Sequence, residues 1–259
     1  MIGVIALFGL ATSIYLLFFH HGLWRADQRL PEHAESLAEW PSVVAVVPAR
    51  NEAETIGAVT AALCAQDYPG SFRVIVVDDS STDGTADLAR ATAGHRLDVL
   101  SAPPLQPGWT GKLAALNTGV ATVDAATDYL WFTDADIMHP SETLARFVAK
   151  AVHDRRDLVS LMVRLRCESF WEGLLIPAFI FFFQMLYPFR AANSDRSKIA
   201  AAAGGCVLLR RGALVKAGGL EAIRGRIIDD WRPGGSHQNR RWPDLAGSGR
   251  CQPLPTPGR

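Results

Sequence analysis

Residues 72–85 read FRVIVVDDSSTDGT. A β-branched run that stops on two carboxylates predicts a buried parallel strand ending at Asp78 and Asp79, with a turn-rich loop after it. Ser80, Ser81, Asp83 and Gly84 supply the turn chemistry, and Gly84 tolerates unusual dihedrals. An aspartate at such a strand end is placed to accept hydrogen bonds from a base imide or a ribose hydroxyl. Asp83 is instead expected to cap the helix that begins at Thr85.

Outward from this stretch, strand and helix patterns alternate. SVVAVVPA (residues 42–49) reads as a buried strand broken by Pro48. Glu52 to Ala65 has helical spacing, with Ile56, Val59, Ala62 and Leu63 on one face. Thr85 to Ala93 continues as a helix, LDVLSA (97–102) as a strand, Gly111 to Val123 as a helix and DYLWFTDAD (128–136) as a strand. The alternation predicts an α/β domain with an open, Rossmann-like, mostly parallel sheet. Ligands of such sheets bind outside the carboxyl ends of the strands, where both acidic clusters fall. Further on, a helix over 141–153 is expected with Ser141 as its N-cap, then a strand in DLVSLMVRLRC (157–167). LLIPAFIFFFQMLYPF (174–189), interrupted by Pro177 and Pro188, is short for a full span and reads as an interfacial or re-entrant helix, with a buried core helix as the alternative. AAAGGCVLLRR (201–211) reads as a glycine loop entering a strand, and GALVKAGGL (212–220) as a short helix closed by glycines.

A chain of 259 residues with 49% hydrophobic and 20% charged residues suits one sizeable α/β domain with added membrane-facing surface. Its formal net charge of zero argues against a nucleic-acid or generally acidic partner. The four cysteines, Cys64, Cys167, Cys206 and Cys251, form no CxxC pair and have no companion histidines, so buried free thiols are expected rather than a zinc site or disulfides. Residues 2–19 are an uncharged apolar run of spanning length. No basic region precedes the run, and His20 to Trp24 rather than a small-x-small site follow it, which favours a retained anchor over a signal peptide. Arg25 and Arg29 then place the body of the protein on the cytoplasmic side of the inner membrane. The expected organisation is an anchor over 1–24, a juxtamembrane linker over 25–41, a catalytic domain over 42–230 and a tail over 231–259.

The second acidic cluster, Asp134-Ala135-Asp136, directly follows the strand YLWFT. Two hard carboxylates brought together by a bend suit Mg²⁺ or Mn²⁺, which keeps waters and binds through few carboxylates plus phosphates. Such an ion offsets the charge of a diphosphate leaving group as a Lewis acid. Alone, an acidic triplet is a weak signal; placed at a strand end after DDSSTDGT it is a strong one.

Together, Pro48-Ala49-Arg50-Asn51-Glu52, VVDDSSTDGT, the Lys112 to Gly119 stretch KLAALNTG and DAD resemble glycosyltransferase family 2, the GT-A type, from about Ser42 to Asp230. The N-terminal anchor, PGWTGK and the apolar segment near residue 180 are similar to the hopanoid-biosynthesis-associated members. The resemblance implies that Pro48, Ala49 and Glu52 line a donor nucleotide site and that Asp79, with Asp78, contacts base or ribose. It further implies that Lys112 approaches the donor phosphates, the alternative being a solvated helix face. Asp134 and Asp136 would hold the diphosphate through metal, and Gly204 and Gly205 would lie near the acceptor. In Asp229-Asp230 after GRII, Asp230 takes the place of the family's catalytic base. The implied activity is an inverting transfer of sugar from a nucleotide-diphosphate sugar, UDP-linked by expectation, to a lipid or lipid-linked acceptor at the membrane.

After Asp230 the chain departs from that pattern. Residues 231–259 are dense in Pro, Gly and Arg and lack apolar periodicity, so disorder is expected, from a frameshifted or truncated ending. Gln238-Asn239-Arg240-Arg241-Trp242 fits the QxxRW of processive members but lies too close to Asp230, and is read as coincidence. A catalytically inactive nucleotide-sugar-binding fragment is the alternative this ending raises. A dinucleotide oxidoreductase would need a GxGxxG after the first strand, which is missing; a nucleotidyltransferase would instead release pyrophosphate.

Overall fold

The structure, a computed structural model, describes residues 2–20, 29–92, 95–163, 169–186, 188–193, 202–224 and 246–247. The strands are β1 (Val43–Ala49), β2 (Phe72–Asp78), β3 (Leu97–Ser101), β4 (Tyr129–Thr133), β5 (Leu158–Leu161), β6 (Cys206–Arg210) and a two-residue β7 (Ala246–Gly247). They form one sheet in the order β3-β2-β1-β4-β6-β5-β7. β3, β2, β1 and β4 are mutually parallel, while β6 runs antiparallel to both β4 and β5. The expected mostly parallel sheet therefore holds, with β6 reversed. The strand order changes direction between β1 and β4, and that switch point opens a crevice at the carboxyl ends.

Alternation along the central strands supplies both layers of the core. Ala45, Val47, Val74, Val76, Tyr129 and Trp131 face one way, onto Ile56, Val59 and Leu63 of α2 (Ile56–Cys64) and Leu144, Phe147 and Val148 of α5 (Thr143–His153). Val44, Val46, Ile75, Val77, Leu130 and Phe132 face the other way, onto Leu113 and Leu116 of α4 (Gly111–Ala121). Each fully buried aliphatic side chain contributes about 1.5–3 kcal/mol. α3 (Thr85–Ala91) follows β2. Pro48 is tolerated inside β1 because β4 pairs with β1 only as far as Val46. Cys206 is buried and accepts a hydrogen bond from the Trp131 indole at 3.4 Å; Cys64 is half-buried, and both are free thiols.

Several expected boundaries move. The helix expected from Glu52 begins at Ile56, because Asn51 has φ +54° and the Glu52 carbonyl first closes a turn with the Thr55 and Ile56 amides. Ser141 does not cap α5: its hydroxyl bonds the Glu142 carboxylate instead, and the helix starts at Thr143. The stretch expected as a linker has no helix or strand from residue 29 to 41, yet Leu30 is buried in the core and the Arg146 guanidinium donates to the Pro31 carbonyl at 2.7 Å. Ala34, Leu37 and Trp40 also pack against that core, so the described part of this stretch lies on the domain rather than apart from it. Ala246 and Gly247, in a tail expected to lack structure, pair with Ser160 and Leu161, since β5 presents an open backbone edge; the rest of the tail, QNRRW included, lies outside the described residues.

Two helices carry apolar side chains outward. α1 (Ile2–Ile14) continues as a π-helical turn to Phe19, and these 18 residues have mean hydropathy 2.3 with no buried side chain. α6 (Phe170–Leu186) starts earlier than expected, and Phe170–Ala191, which reaches into the short α7 (Phe189–Ala192), is 22 residues long with mean hydropathy 1.5. By length and composition both can cross a membrane. Leu174, Leu175, Phe179, Phe182 and Leu186 are exposed, so α6 is not a core helix of the described fold. The last elements are α8 (Arg211–Lys216) and a 3₁₀ turn at Leu220–Ile223, reached through Gly218 and Gly219, both at positive φ.

α4 lies against the sheet at Gly119, where a Cβ would strike Val46 Cγ1 and sit 3.1 Å from Val77 Cγ2. Gly119→Val is expected to destabilise the domain by about 1–3 kcal/mol through overpacking, seen as a lowered Tm in a thermal melt.

Candidate active site

The loops after β1 and β2 lock into each other. Asn51 and Ser80 both adopt left-handed conformations, φ +54° and +59°, that turn the chain off the strand ends. The Asn51 amide then donates to Ser81 Oγ at 2.9 Å, the Glu52 amide to Thr85 Oγ1 at 2.8 Å, and the Thr82 amide to Asn51 Oδ1 at 3.0 Å. Asp83 serves these loops: its carboxylate accepts from the Thr85 hydroxyl and amide and from the Ala53 amide. The Thr85 hydroxyl bond above all holds the Asp83 carboxyl below its ordinary pKa. Asp83 is thus not the expected N-cap of α3, a position held by Gly84 at φ +86°; it lies one residue earlier, accepts from the Thr85 amide and pins the neighbouring loop through Ala53.

Consecutive residues of an extended chain point opposite ways, which separates the aspartate pair. Asp79 lines the cleft, with its amide donating to the Ala49 carbonyl at 2.8 Å and its Oδ2 3.3 Å from Arg50 Nη1. Asp78 is buried and turned from the cleft; its Oδ2 accepts from the Ser81 amide at 3.3 Å, and Oδ1 has no hydrogen-bond partner among the described residues. Asp78, expected to share the nucleotide contact with Asp79, is thus not among the residues lining the cleft and braces the loop through Ser81. Gly111 closes the same corner, since a Cβ there would strike Asp79 Oδ2.

α4 begins at that glycine. Thr110 caps it, accepting from the Leu113 amide at 3.4 Å, so the positive end of the helix dipole faces the cleft. Lys112 Nζ sits 2.6 Å from Asp134 Oδ1, with both side chains about a third exposed. Its ammonium thus points into the cleft rather than along a solvated helix face. Asp134 is fixed from the other side, its amide donating to the Gly205 carbonyl at 3.1 Å, and a Cβ on Gly205 would come within 3.3 Å of Asp134 Oδ2. Below the loop, Thr133 Oγ1 and His139 Nε2 lie 2.7 Å apart, and the His139 ring packs on Trp131 with centroids 4.7 Å apart. Burial pushes the His139 pKa down to about 3, so this imidazole is neutral. It ties the far end of the loop that carries Asp134 and Asp136 back to β4.

Pro48, Ala49, Glu52, Asp79, Lys112, Asp134 and Asp136 all line one cleft of about 430 Å³, completed by Arg50, Gly111 and Ala135. Burial raises the Glu52 pKa; the Thr55 hydroxyl opposes this, and the Asp136, Asp134 and Asp83 carboxylates add to it. Hard acidic oxygens crowded on one wall fit a divalent cation, which would offset that mutual repulsion. Among the described residues no group of three His, Cys, Asp or Glu side chains is placed to hold an ion alone. Such a cation would draw its remaining ligands from water and phosphate. Gly204 and Gly205 lie in an adjoining groove of about 380 Å³ that shares Asp134 and Asp136 with the cleft. Asp229 and Asp230 lie outside the described residues. Nothing in the sequence marks Arg50 and Gly111 as neighbours of Asp79; their contacts with it come from separate loops and leave no local signature.

An open α/β sheet with acids at its carboxyl ends, flanking a switch point, defines a nucleotide-sugar-type fold of the GT-A class. The chain belongs to glycosyl transferase family 2, whose model matches residues 44–218. Over 122 residues it is 37% identical to glycosyltransferase AglE of Haloferax volcanii, covering 46% of this chain and 38% of AglE. Over 131 residues it is 35% identical to the succinoglycan biosynthesis protein ExoA of Rhizobium meliloti, covering 50% and 38%. A 4,4'-diaponeurosporenoate glycosyltransferase of Staphylococcus aureus is 36% identical over 96 residues, covering 37% and 24%. The chain therefore spans well under half the length of these curated relatives. Among solved structures, the mannosyltransferase PcManGT of Pyrobaculum calidifontis, in complex with GDP-Man and Mn²⁺, superposes with TM-score 0.62 at 23% identity, covering 98% of this chain and 68% of that one.

The neutral, buried His139 has a depressed pKa, so its contribution is fully present above the unfolded value of about 6.5 and lost as pH falls toward 3. Wild-type stability is expected to fall by up to about 1.4 kcal/mol per pH unit below that value from this group. His139→Gln, which cannot titrate, should show a shallower decline between pH 6.5 and 4.5 in denaturant melts; parallel declines would contradict the assignment.

Proposed function

We propose that this protein transfers a sugar from a nucleotide-diphosphate sugar, UDP-linked by preference, to the hydroxyl of a lipid or lipid-linked acceptor, a hopanoid-type lipid being the leading class. The observation that carries this reading is the single cleft holding Asp79, Lys112, Asp134 and Asp136 at the switch point. In it, Asp79 accepts hydrogen bonds from the base or ribose, and Arg50 fixes its carboxylate. The α4 N-terminus and the Lys112 ammonium face the donor diphosphate, where both favour negative charge. Asp134 and Asp136 are the residues that would hold Mg²⁺ or Mn²⁺. When bound, that cation offsets the charge that develops on the departing nucleoside diphosphate. As the acceptor oxygen bonds to the anomeric carbon and the carbon–phosphate-oxygen bond breaks, Asp230 takes the hydroxyl proton. One in-line displacement gives inversion at the anomeric carbon.

The membrane reading rests on α1, on α6 and on the lipid-related name of one relative. The body of the protein faces the cytoplasm on this reading, since Arg25 and Arg29 follow the first span. A second reading, a nucleotide-sugar-binding fragment without transfer, needs only the donor-side residues gathered in the cleft.

Nucleoside-diphosphate release from a panel of NDP-sugars, with Mn²⁺ or Mg²⁺ and membrane lipid extract, tests both. Metal-dependent release should fall at least about 100-fold in Asp136→Asn and in Asp230→Asn. Nucleotide binding without release in the wild type would instead establish the fragment reading. Gly111→Ala, by displacing Asp79, should weaken UDP binding about tenfold by calorimetry, about 1.4 kcal/mol. Unchanged binding would remove Asp79 from the nucleotide site.

A further inference from the structure

The groove beside the cleft differs from it in chemistry. Its walls include Ile137, Met162, Val163, Phe179, Ile180 and Phe183, and the only polar side chains among its lining residues are Asp134 and Asp136, which it shares with the cleft. Phe179 and Phe183 stand one turn apart on α6 with ring centroids 6.4 Å apart, and Phe183 packs on Phe189 at 6.3 Å. Its volume of about 380 Å³ lies in the usual range of small-molecule sites.

We propose that this groove holds the hydrocarbon part of the acceptor, which enters sideways along α6 and presents its hydroxyl at the Asp134–Asp136 end. The inference rests on the lipid-acceptor reading above and adds the place and the route. A sugar or peptide acceptor would need hydrogen-bonding partners along its length, or lose those it had in water. Apart from Asp134 and Asp136 the side chains lining the groove offer no such partner, whereas an alkyl or polycyclic body needs none. The wall formed by α6 also carries Leu174, Leu175, Phe182 and Leu186, which remain exposed. His20, just after the apolar run of α1, lies 3.0 Å from the Met185 carbonyl, so the two outward-facing apolar helices meet near the groove. A lipid lying beside α6 thus reaches the acids without its apolar body crossing water.

The test uses the full-length protein in nanodiscs with a photoreactive diazirine analogue of hexadecanol. Labelling is expected on the 158–163 and 179–183 peptides, with competition by membrane lipid extract. Ile180→Trp, which fills the groove, should reduce that labelling at least fivefold with the thermal melt unchanged; Val163→Phe fills it from the sheet side should Ile180→Trp fail to fold. Labelling confined to the outer face of α6, at Leu174 and Phe182, or indifferent to both substitutions, overturns the groove. A parallel transfer assay separates the two levels. Wild-type transfer to lipid extract without groove labelling refutes the groove and leaves the lipid reading standing. Equal transfer to a water-soluble acceptor in the absence of lipid refutes the lipid reading, and the groove assignment with it.

Discussion

The pairing of β1 with both its parallel neighbours sets the level at which every site residue is presented. Ala49 stands opposite Asp78, and Val46 opposite Phe132, so the loops after three strands leave the sheet along one edge. Parallel strands demand this: each crossover helix returns the chain to the far end, and all the carboxyl ends collect together. A slip of one residue in any of these strands would turn its apolar set out of the core and rotate its terminal carboxylate away from the cleft. Core packing and site geometry are therefore the same constraint. The alternating burial of Val43 to Val47 against two helical layers enforces it.

Gathering acids at that edge has an electrostatic consequence. Glu52, Asp79, Asp134 and Asp136 line the cleft, and the raised Glu52 pKa reflects burial first, with the Asp136, Asp134 and Asp83 charges adding to it against the Thr55 hydroxyl. Two cations answer them from different elements, Arg50 at Asp79 and Lys112 at Asp134. Exposed pairs of this kind add little to stability, typically under about 1 kcal/mol. Their value lies in position: in the proposed reaction they hold carboxylates and positive charge where the donor diphosphate would lie. The loop that carries Asp134 and Asp136 is braced by uncharged means, the Thr133–His139 contact beneath it and the Gly205 carbonyl beside it.

Two kinds of surface meet at the loop that carries Asp134 and Asp136. On one side lies the polar cleft, the proposed donor site; on the other an apolar groove walled by an outward-facing helix. Asp134 and Asp136 belong to both, as the proposed transfer from a water-soluble donor to an apolar acceptor requires. Gly205 makes the shared wall thin, because any side chain there would press on Asp134 and Ile137.

The amino-acid sequence alone determined the strand-helix alternation, the mostly parallel sheet, the two acidic strand ends and the family to which they belong. These are local signals, carried by β-branched runs that end in carboxylates and turn residues. It also singled out Pro48, Ala49, Glu52, Asp79, Lys112, Asp134 and Asp136, which share one cleft. What the tertiary structure decided depends on neighbours distant in the chain. Asp78 and Asp79 look alike in sequence, and only the strand's alternation turns one beneath the loop and the other to line the cleft. Glu52 to Thr55 have helical spacing, but the interlock of Asn51 and Glu52 with Ser81 and Thr85 delays the helix. Leu30 and Pro31 look like linker until α5 offers them Arg146. Gly111 owes its role to the position of Asp79, and the apolar groove exists only because α6 comes to rest beside Met162 and Val163. Such features arise where separate segments meet, and no periodicity within one segment encodes a meeting.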